Sequence, residues 1–313
     1  MALRHGPLPD FVARAEAISR RSAFRVRLRK LMRFAYPALV VLAALSALAS
    51  GFFYDKLRDS ERILKGFVME STHGISLADT DLVAMTLSRE VFRRTSHFVP
   101  PESLSLYDRL ESASFFNVST SVSLQHGIFG VIGERQLGPC GTMSRVMVRS
   151  LEKVHIASRK LQLLPDANGQ GGGHTMIEYR SNGRWIVLSP SDSSFVWYTH
   201  DGRLATVADI QKDSTVFAQI FQRDPDYPYR FSNVSHIRWA KIPPIARSFF
   251  HRLLGDQAYR DAVTPYLYDR PRLLLFYGSL AAFAFFSVLA LLTRGASRRV
   301  QRARAAAVAP AAA

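Results

Sequence analysis

The chain has 313 residues, of which 48% are hydrophobic, and it carries a formal net charge of +16 at pH 7. The charge is concentrated at the ends: residues 1–33 hold nine Lys or Arg against two acids, and residues 272–313 hold six Arg and no acid. The body therefore lacks the basic surface of a nucleic-acid-binding protein, and we expect no nucleic-acid partner. The single cysteine excludes an internal disulfide, and the length allows one or two domains with a full core.

Two apolar runs of about 20 residues lack charged side chains, which is the length needed to cross a bilayer. Basic residues precede the first run and follow the second, which predicts cytoplasmic termini and an exported middle. An alternative is a cleaved signal peptide, because Ala47-Leu48-Ala49 resembles a signal-peptidase site. The long basic region before the first run, and the continuation of that run through Phe53, favour an uncleaved anchor. The middle of the chain is exported in either case.

These signals predict a membrane-anchored extracytoplasmic domain with its core at about residues 77–240. The predicted segments are a basic cytoplasmic tail (1–33), a transmembrane helix (34–54), the extracytoplasmic domain (55–270), a second transmembrane helix (272–293) and a basic, Ala-rich cytoplasmic tail (294–313).

The exported part begins with helical patterns and continues into strands. Apolar spacing predicts helices over 55–68, Leu77–Arg94 and Ser103–Glu111, and a further helix after Cys140, whereas residues 112–133 fit no pattern. Further elements follow in chain order: a strand at 156–164, a glycine-rich loop at 165–173, strands at 174–180 and 184–189, a third strand at Ser194–Thr199, a short helix at 204–210, a strand at Phe231–Lys241 and a mixed helical segment at 243–268. Asn182-Gly183 is the strongest hairpin signal in the chain.

Cys140 is the residue around which a function can be argued. Small residues and a proline precede a helical pattern, so the thiol should lie at a helix N-terminus, where the helix dipole favours a thiolate. His174 opens a predicted strand and is a candidate base for that thiol. The simpler alternative is that Cys140 is a buried small hydrophobe in a structural membrane protein.

The block that contains both residues resembles the bacterial transglutaminase-like superfamily. In that family a cysteine at a helix start is followed by a strand ending in arginine, then His-x(3)-Glu and Trp-x(3)-Asp-Pro. The His-to-Trp and His-to-Pro spacings here are 11 and 16, as in the family. The matching segments are Cys140, Ile156-Ala157-Ser158-Arg159, His174-Thr175-Met176-Ile177-Glu178 and Trp185-Ile186-Val187-Leu188-Ser189-Pro190.

The resemblance implies an α+β, papain-like core in which a cysteine-bearing helix packs on an antiparallel sheet. It implies Cys140 as nucleophile and His174 as base. Arg159 would be a structural arginine held in an ion pair, and Trp185 a core residue. Glu178 shares a face with His174 and is expected to be solvated or salt-bridged.

The sequence departs from the family at the third catalytic position, where Ser189 replaces the aspartate. With a two-residue turn at Asn182-Gly183, Ser189 would lie diagonally opposite His174 on one face. Three outcomes stay open: Ser189 orients His174 in a weaker triad, Asp192 supplies the carboxylate from beyond Pro190, or the triad is degraded. Gln136, four residues before the cysteine, is a candidate oxyanion donor, although a loop role is the simpler interpretation.

We therefore predict a membrane-anchored, periplasm-facing cysteine enzyme of the bacterial inner membrane that transfers or hydrolyses acyl groups at amide or ester bonds. Its expected substrates are envelope peptides, proteins or acylated glycans. The alternative is a catalytically inactive binding or scaffold domain of an envelope assembly. The sequence has neither metal-ligand spacing nor a phosphate or dinucleotide fingerprint, so no metal or cofactor is predicted.

Overall fold

The computed structural model describes residues 9–96, 104–115, 119–127, 131–132, 135–136, 139–164, 173–192, 196–221, 230–239 and 242–308. The chain forms two compact units, one of Met1–Asp55 with Arg272–Ala313 and one of Lys56–Pro271. The elements are α1 (Pro9–Ser71), α2 (Thr80–Thr95), α3 (Leu106–Phe115), α4 (Thr120–His126), β1 (Val131–Ile132), β2 (Arg135–Gln136), α5 (Pro139–Lys153), β3 (Ser158–Leu163), β4 (His174–Ser181), β5 (Arg184–Leu188), α6 (Val207–Lys212), α7 (Ser214–Phe221), β6 (Val234–Ser235), α8 (Pro244–Asp261) and α9 (Pro271–Val308).

The first unit contains the apolar parts of the two long helices that the sequence predicts. Phe34–Ser71 and Pro271–Arg302 are long and apolar enough to span a membrane, and their apolar windows have mean hydropathies of 1.8 and 2.1. The side chains in these windows are largely exposed, unlike those of a core helix in a soluble protein. Ser50 and Ser279 join the two helices through a hydroxyl–hydroxyl hydrogen bond of 3.0 Å, a contact typical of helix pairs in an apolar surrounding.

The second unit is α+β, as predicted, and is built on an antiparallel sheet in the order β5-β4-β3-β6. The turn at Asn182-Gly183 has positive φ at both residues, 49° and 77°, which is the requirement of a type I′ hairpin turn. Ser181 therefore pairs with Arg184 and Ile177 with Leu188. The predicted hairpin and its register are confirmed, and this register fixes the strand positions of the site.

One face of the sheet is covered by α5, which packs on β3 and β4. Its buried apolar residues recur at helical spacing, so one stripe of the helix is apolar and faces the core. Helix α2 also packs on α5, and its first turn is capped by Asp79, which accepts from the Leu82 N–H at 3.0 Å. The residues of this core include Val83, Leu87, Val91, Met143, Val146, Met147, Leu151, Ile177, Tyr179 and Leu188.

The opposite face of the sheet has its own apolar cluster, so the strands are buried on both sides. Trp197 is its largest fully buried side chain and contacts Phe231 edge-on, with ring centroids 5.5 Å apart. Leu161, Met176 and Val187 supply the sheet side of this cluster. Two buried faces explain why β4 is almost continuously buried rather than alternating.

Two strand predictions are wrong in the described residues. Among residues 196–199, only Tyr198 forms a bridge, to Leu204 across the turn at Asp201-Gly202 that the sequence also predicts. In place of a long strand at Phe231–Lys241, only Val234–Ser235 pairs with β3. The Ser235 hydroxyl binds the backbone of Ile237 and turns the chain away. The predicted loop at 165–172 lies outside the described residues.

Candidate active site

Cys140 is the second residue of α5, directly after Pro139, and its side chain is half-buried. Proline suits the first turn of a helix because its missing N–H would have had no intrahelical partner. The N-terminal turn leaves backbone N–H groups free to bind an anion. The N–H groups of Gly141 and Thr175 donate to the Cys140 sulfur. The predicted position of the thiol at a helix start is therefore observed.

His174 is the first residue of β4, and its side chain is buried. It shares a hydrogen bond with Cys140. Its Nε2 atom lies 3.2 Å from Asp192 Oδ2 and 3.2 Å from Ser189 Oγ. Because Nε2 is directed at these two oxygens, Nδ1 is the ring nitrogen that remains for the thiol.

The structure brings both candidates for the third position to the same imidazole. The Ser189 hydroxyl donates to the Asp192 carboxylate, which also accepts from His174. A turn explains how Asp192 reaches the site: its N–H donates to the Ser189 carbonyl at 3.3 Å, with Pro190 at the second position of the turn. Position 189 has a serine instead of a carboxylate, and the carboxylate beside His174 comes from Asp192, three residues later. The Ser189 hydroxyl at the end of the hairpin binds this carboxylate.

The electrostatics of the pair favour the charged forms. Burial raises the pKa of the Cys140 thiol, but the hydrogen bond and charge of His174, with the two backbone N–H groups, lower it below its ordinary value of 9.0. Burial lowers the pKa of His174, whereas hydrogen bonds and charges from Asp192 and Cys140 raise it from 6.5 to about 9. The arrangement therefore favours a thiolate beside an imidazolium at neutral pH.

Ser144 connects the nucleophile helix to the histidine strand, and its position one turn after Cys140 is the only signal for it in the sequence. It is fully buried, and its hydroxyl donates to the Thr175 carbonyl at 2.9 Å. Thr175 adjoins His174 in β4. This hydrogen bond therefore fixes the second turn of α5 against the strand residue next to the base.

Gln136, the candidate oxyanion donor, lies in β2, where its backbone pairs with Val131. Its side chain lies outside the described residues, so its oxyanion role stays a prediction.

The other residues of the motif are structural neighbours of the site. Arg159 forms the predicted ion pair, to Glu178 at 2.7 Å, and Glu178 is buried and also binds His236 at 2.8 Å. The expectation for Trp185 is wrong: it is half-buried, with Arg159 over its ring at 4.2 Å, and the fully buried tryptophan is Trp197. The charge of Arg159 holds Trp185 at the sheet surface by a cation–π contact.

In the described part of the chain, no three His, Cys, Asp or Glu side chains are grouped to hold a metal ion. The chemistry that this site can perform is that of a thiolate with a neighbouring acid, namely attack on a carbonyl and protonation of the leaving group. Comparison of the chain with protein-family models, curated proteins and solved structures gave no significant match.

Proposed function

We propose that this chain is a membrane-anchored cysteine enzyme that cleaves or transfers acyl groups at amide or ester bonds. The observation that carries the proposal is the contact series from Cys140 through His174 to Asp192, with Ser189 binding the carboxylate. A thiol, an imidazole and a carboxylate in this order form the constellation of a nucleophile, its base and the group that orients the base.

The proposed reaction has two stages. The Cys140 thiolate attacks the carbonyl carbon, and the His174 imidazolium donates its proton to the departing amine or alcohol, so that a thioester replaces the amide or ester bond. Neutral His174 then takes a proton from water or an amine as that nucleophile attacks the thioester. The thiolate leaves and the imidazolium is restored. Asp192 holds the ring orientation and balances its charge in both stages.

The proposal includes a transglutaminase-like fold and a periplasm-facing location. Helix α5 carries the cysteine and packs on an antiparallel sheet whose second strand in chain order carries the histidine, which is the arrangement that the motif resemblance implies. The two apolar helices and the basic ends support a bacterial inner-membrane anchor with cytoplasmic termini. Envelope peptides, proteins or acylated glycans within reach of the membrane are the proposed substrates.

The competing function is a binding or scaffold domain without catalysis, and the reason for considering it was the serine at position 189. Asp192 at 3.2 Å from His174 supplies the missing charge and favours the enzyme.

The test is trapping of an acyl-enzyme on the full chain in detergent or nanodiscs. A panel of activated esters and thioesters is added, and intact and peptide mass spectrometry locate the acyl group. We expect acylation at Cys140 in the wild type, loss in Cys140→Ala, and strong slowing in His174→Ala. His200→Ala is the matched control, because it removes an exposed His–Asp pair, to Asp213 at 2.8 Å, away from the cysteine. Equal acylation of wild type and His174→Ala would contradict the proposal.

A further inference from the structure

Helix α8 has an apolar face that the described part of its own unit leaves largely exposed. None of its residues is buried, and its large hydrophobic side chains include Ile245 at 88%, Phe249 at 60% and Leu253 at 65% exposure. By contrast, the apolar stripes of α2 and α5 in the same unit are buried in the core. A helix that leaves such a stripe exposed marks an interaction surface.

The first part of α8 is sharply divided into two faces. At 100° per residue, the apolar side chains occupy one half of the helix between Pro244 and Gly255. The other half carries Arg247, Ser248, His251 and Arg252, and no acidic residue lies in this part. The apolar half consists of Ile245, Ala246, Phe249, Phe250, Leu253 and Leu254.

Gly255 ends this amphipathic segment. It has φ 74° and ψ 166°, a conformation open essentially only to glycine. The chain folds back there, so that the Tyr259 ring stacks on Trp239 at 4.0 Å and meets His251 edge-on at 4.7 Å. Trp239 also lies 6.3 Å from Phe250. Tryptophan and tyrosine are the aromatic residues typical of the membrane–water boundary.

Helix α8 lies next to a candidate membrane-spanning helix in the chain, which suggests lipid as the partner of its exposed apolar face. It ends at Asp261, and α9, one of the two helices able to span a membrane, begins at Pro271. The rings of Tyr266 and Tyr268 in the short connection are also exposed. The connection has nine residues and can span at most about 30 Å, which limits the distance between the end of α8 and the start of α9.

We propose that α8 lies in the plane of the membrane surface, with its apolar half among the upper acyl chains and its basic half toward anionic lipid headgroups. An apolar face of bulky side chains, a basic polar face and a neighbouring membrane-spanning helix are the features of an interfacial helix. The inference is independent of the chemistry at Cys140. It places the domain on the bilayer through a second contact besides its anchors, which would confine the enzyme to substrates at that surface.

The test uses the single native cysteine to advantage, because Cys140→Ala gives a full chain without cysteine. Single cysteines are then introduced as Phe249→Cys or Leu253→Cys on the apolar face, Ser248→Cys on the polar face and Ala284→Cys inside α9. All four positions are exposed in the structure. Each is labelled with an environment-sensitive fluorophore in nanodiscs of phosphatidylcholine and phosphatidylglycerol, with nitroxide lipids as quenchers at a shallow or a deep position.

We expect the labels at 249 and 253 to be blue-shifted and quenched more by shallow than by deep nitroxide. The label at 284 should show the reverse order, and the label at 248 should show little of either effect. Quenching at 249 should increase with the fraction of phosphatidylglycerol. Quenching at 284 without quenching at 249 and 253 would overturn the proposal. A blue shift at 249 without lipid quenching would also overturn it, because protein rather than lipid would then cover the face. Equal quenching in neutral and anionic nanodiscs would overturn the assignment of anionic headgroups.

Discussion

Substitution of Asp192 by asparagine isolates the charge of the proposed third catalytic residue. The side chain keeps its size and can still accept a hydrogen bond from His174 Nε2, which lies 3.2 Å from Oδ2. It loses the negative charge that helps to raise the pKa of His174 from 6.5 to about 9. The His174 imidazolium is therefore less stable in this variant. Transfer of the Cys140 thiol proton to His174 becomes less favourable for the same reason.

The size of this effect follows from the hydrogen bond that changes. The rise in the His174 pKa corresponds to roughly 3 kcal/mol in favour of the imidazolium, at 1.36 kcal/mol per pH unit. A hydrogen bond to a charged group contributes about 1.5–3 kcal/mol and a neutral one about 0.5–1.5 kcal/mol. Replacing one by the other costs about 1.4 kcal/mol, which is about a tenfold decrease in the equilibrium constant for forming the thiolate–imidazolium pair.

The assay is the rate of Cys140 alkylation by a small neutral reagent as a function of pH, on the full chain in detergent. At neutral pH we expect Asp192→Asn to react more slowly than the wild type, by up to about tenfold. The two rates should converge above the ordinary thiol pKa, where Cys140 ionises without help from His174. Asp213→Asn, which changes the exposed pair with His200, is the matched control and should leave the rate unchanged.

Ser189→Ala decides between the two candidates for the third position. The Ser189 hydroxyl carries no charge, so its removal should slow alkylation less than Asp192→Asn does. A larger effect of Ser189→Ala, or an unchanged rate in Asp192→Asn, would refute the assignment of Asp192 as the residue that orients and charges His174.

Three further predictions concern stability and the positioning of the site. Ser144→Ala should cost about 1 kcal/mol and slow Cys140 alkylation, because it breaks the link from α5 to β4. Ser150→Ala, which removes an equally buried hydroxyl bonded only within α5, should leave alkylation unchanged in the same assay. Asp269→Asn should lower the free energy of unfolding by about 3–5 kcal/mol, because it removes the carboxylate that two buried cations share. The loss of stability in Asp192→Asn should be largest below pH 6.5 and decline as pH rises through about 9, because the folded imidazolium is lost there; thermal unfolding across this range tests the sign.

Local sequence signals were sufficient to predict an element where its residues strongly favour a single backbone conformation. Asn182-Gly183 supplies the two positive φ angles of a tight turn, so the hairpin and its register could be predicted before any tertiary contact was known. The apolar spacing after Cys140 likewise predicted a helix with one buried face.

The third catalytic position could not be decided from the sequence, because it depends on a turn rather than on strand register. Register alone places Ser189 beside His174, but the Ser189-Pro190 turn carries Asp192 to the same nitrogen. The strand predicted at Ser194–Thr199 is reduced to a single bridge at Tyr198 in the described residues. The apolar residues Val196 and Trp197 there pack into the two different core clusters, and burial on both sides does not require a strand.

Helix α5, which carries the nucleophile, forms several ion pairs in the described part of its unit. It can do so because its apolar and its basic side chains lie on opposite faces. One face is apolar and packs on the sheet and α2, whereas basic side chains of α5 reach carboxylates at both ends of the unit's sequence. Arg149 and Lys153 contact Glu61 in α1, and Arg145 lies 3.5 Å from Asp269, just before α9. The Asp269 carboxylate is buried and costly to lose, and Glu61 is partly buried. The segments that lead to the apolar helices therefore help to hold the Cys140 helix in place. A soluble domain cut inside either segment should therefore lose stability and cysteine reactivity together, whereas a cut in the first unit should spare both.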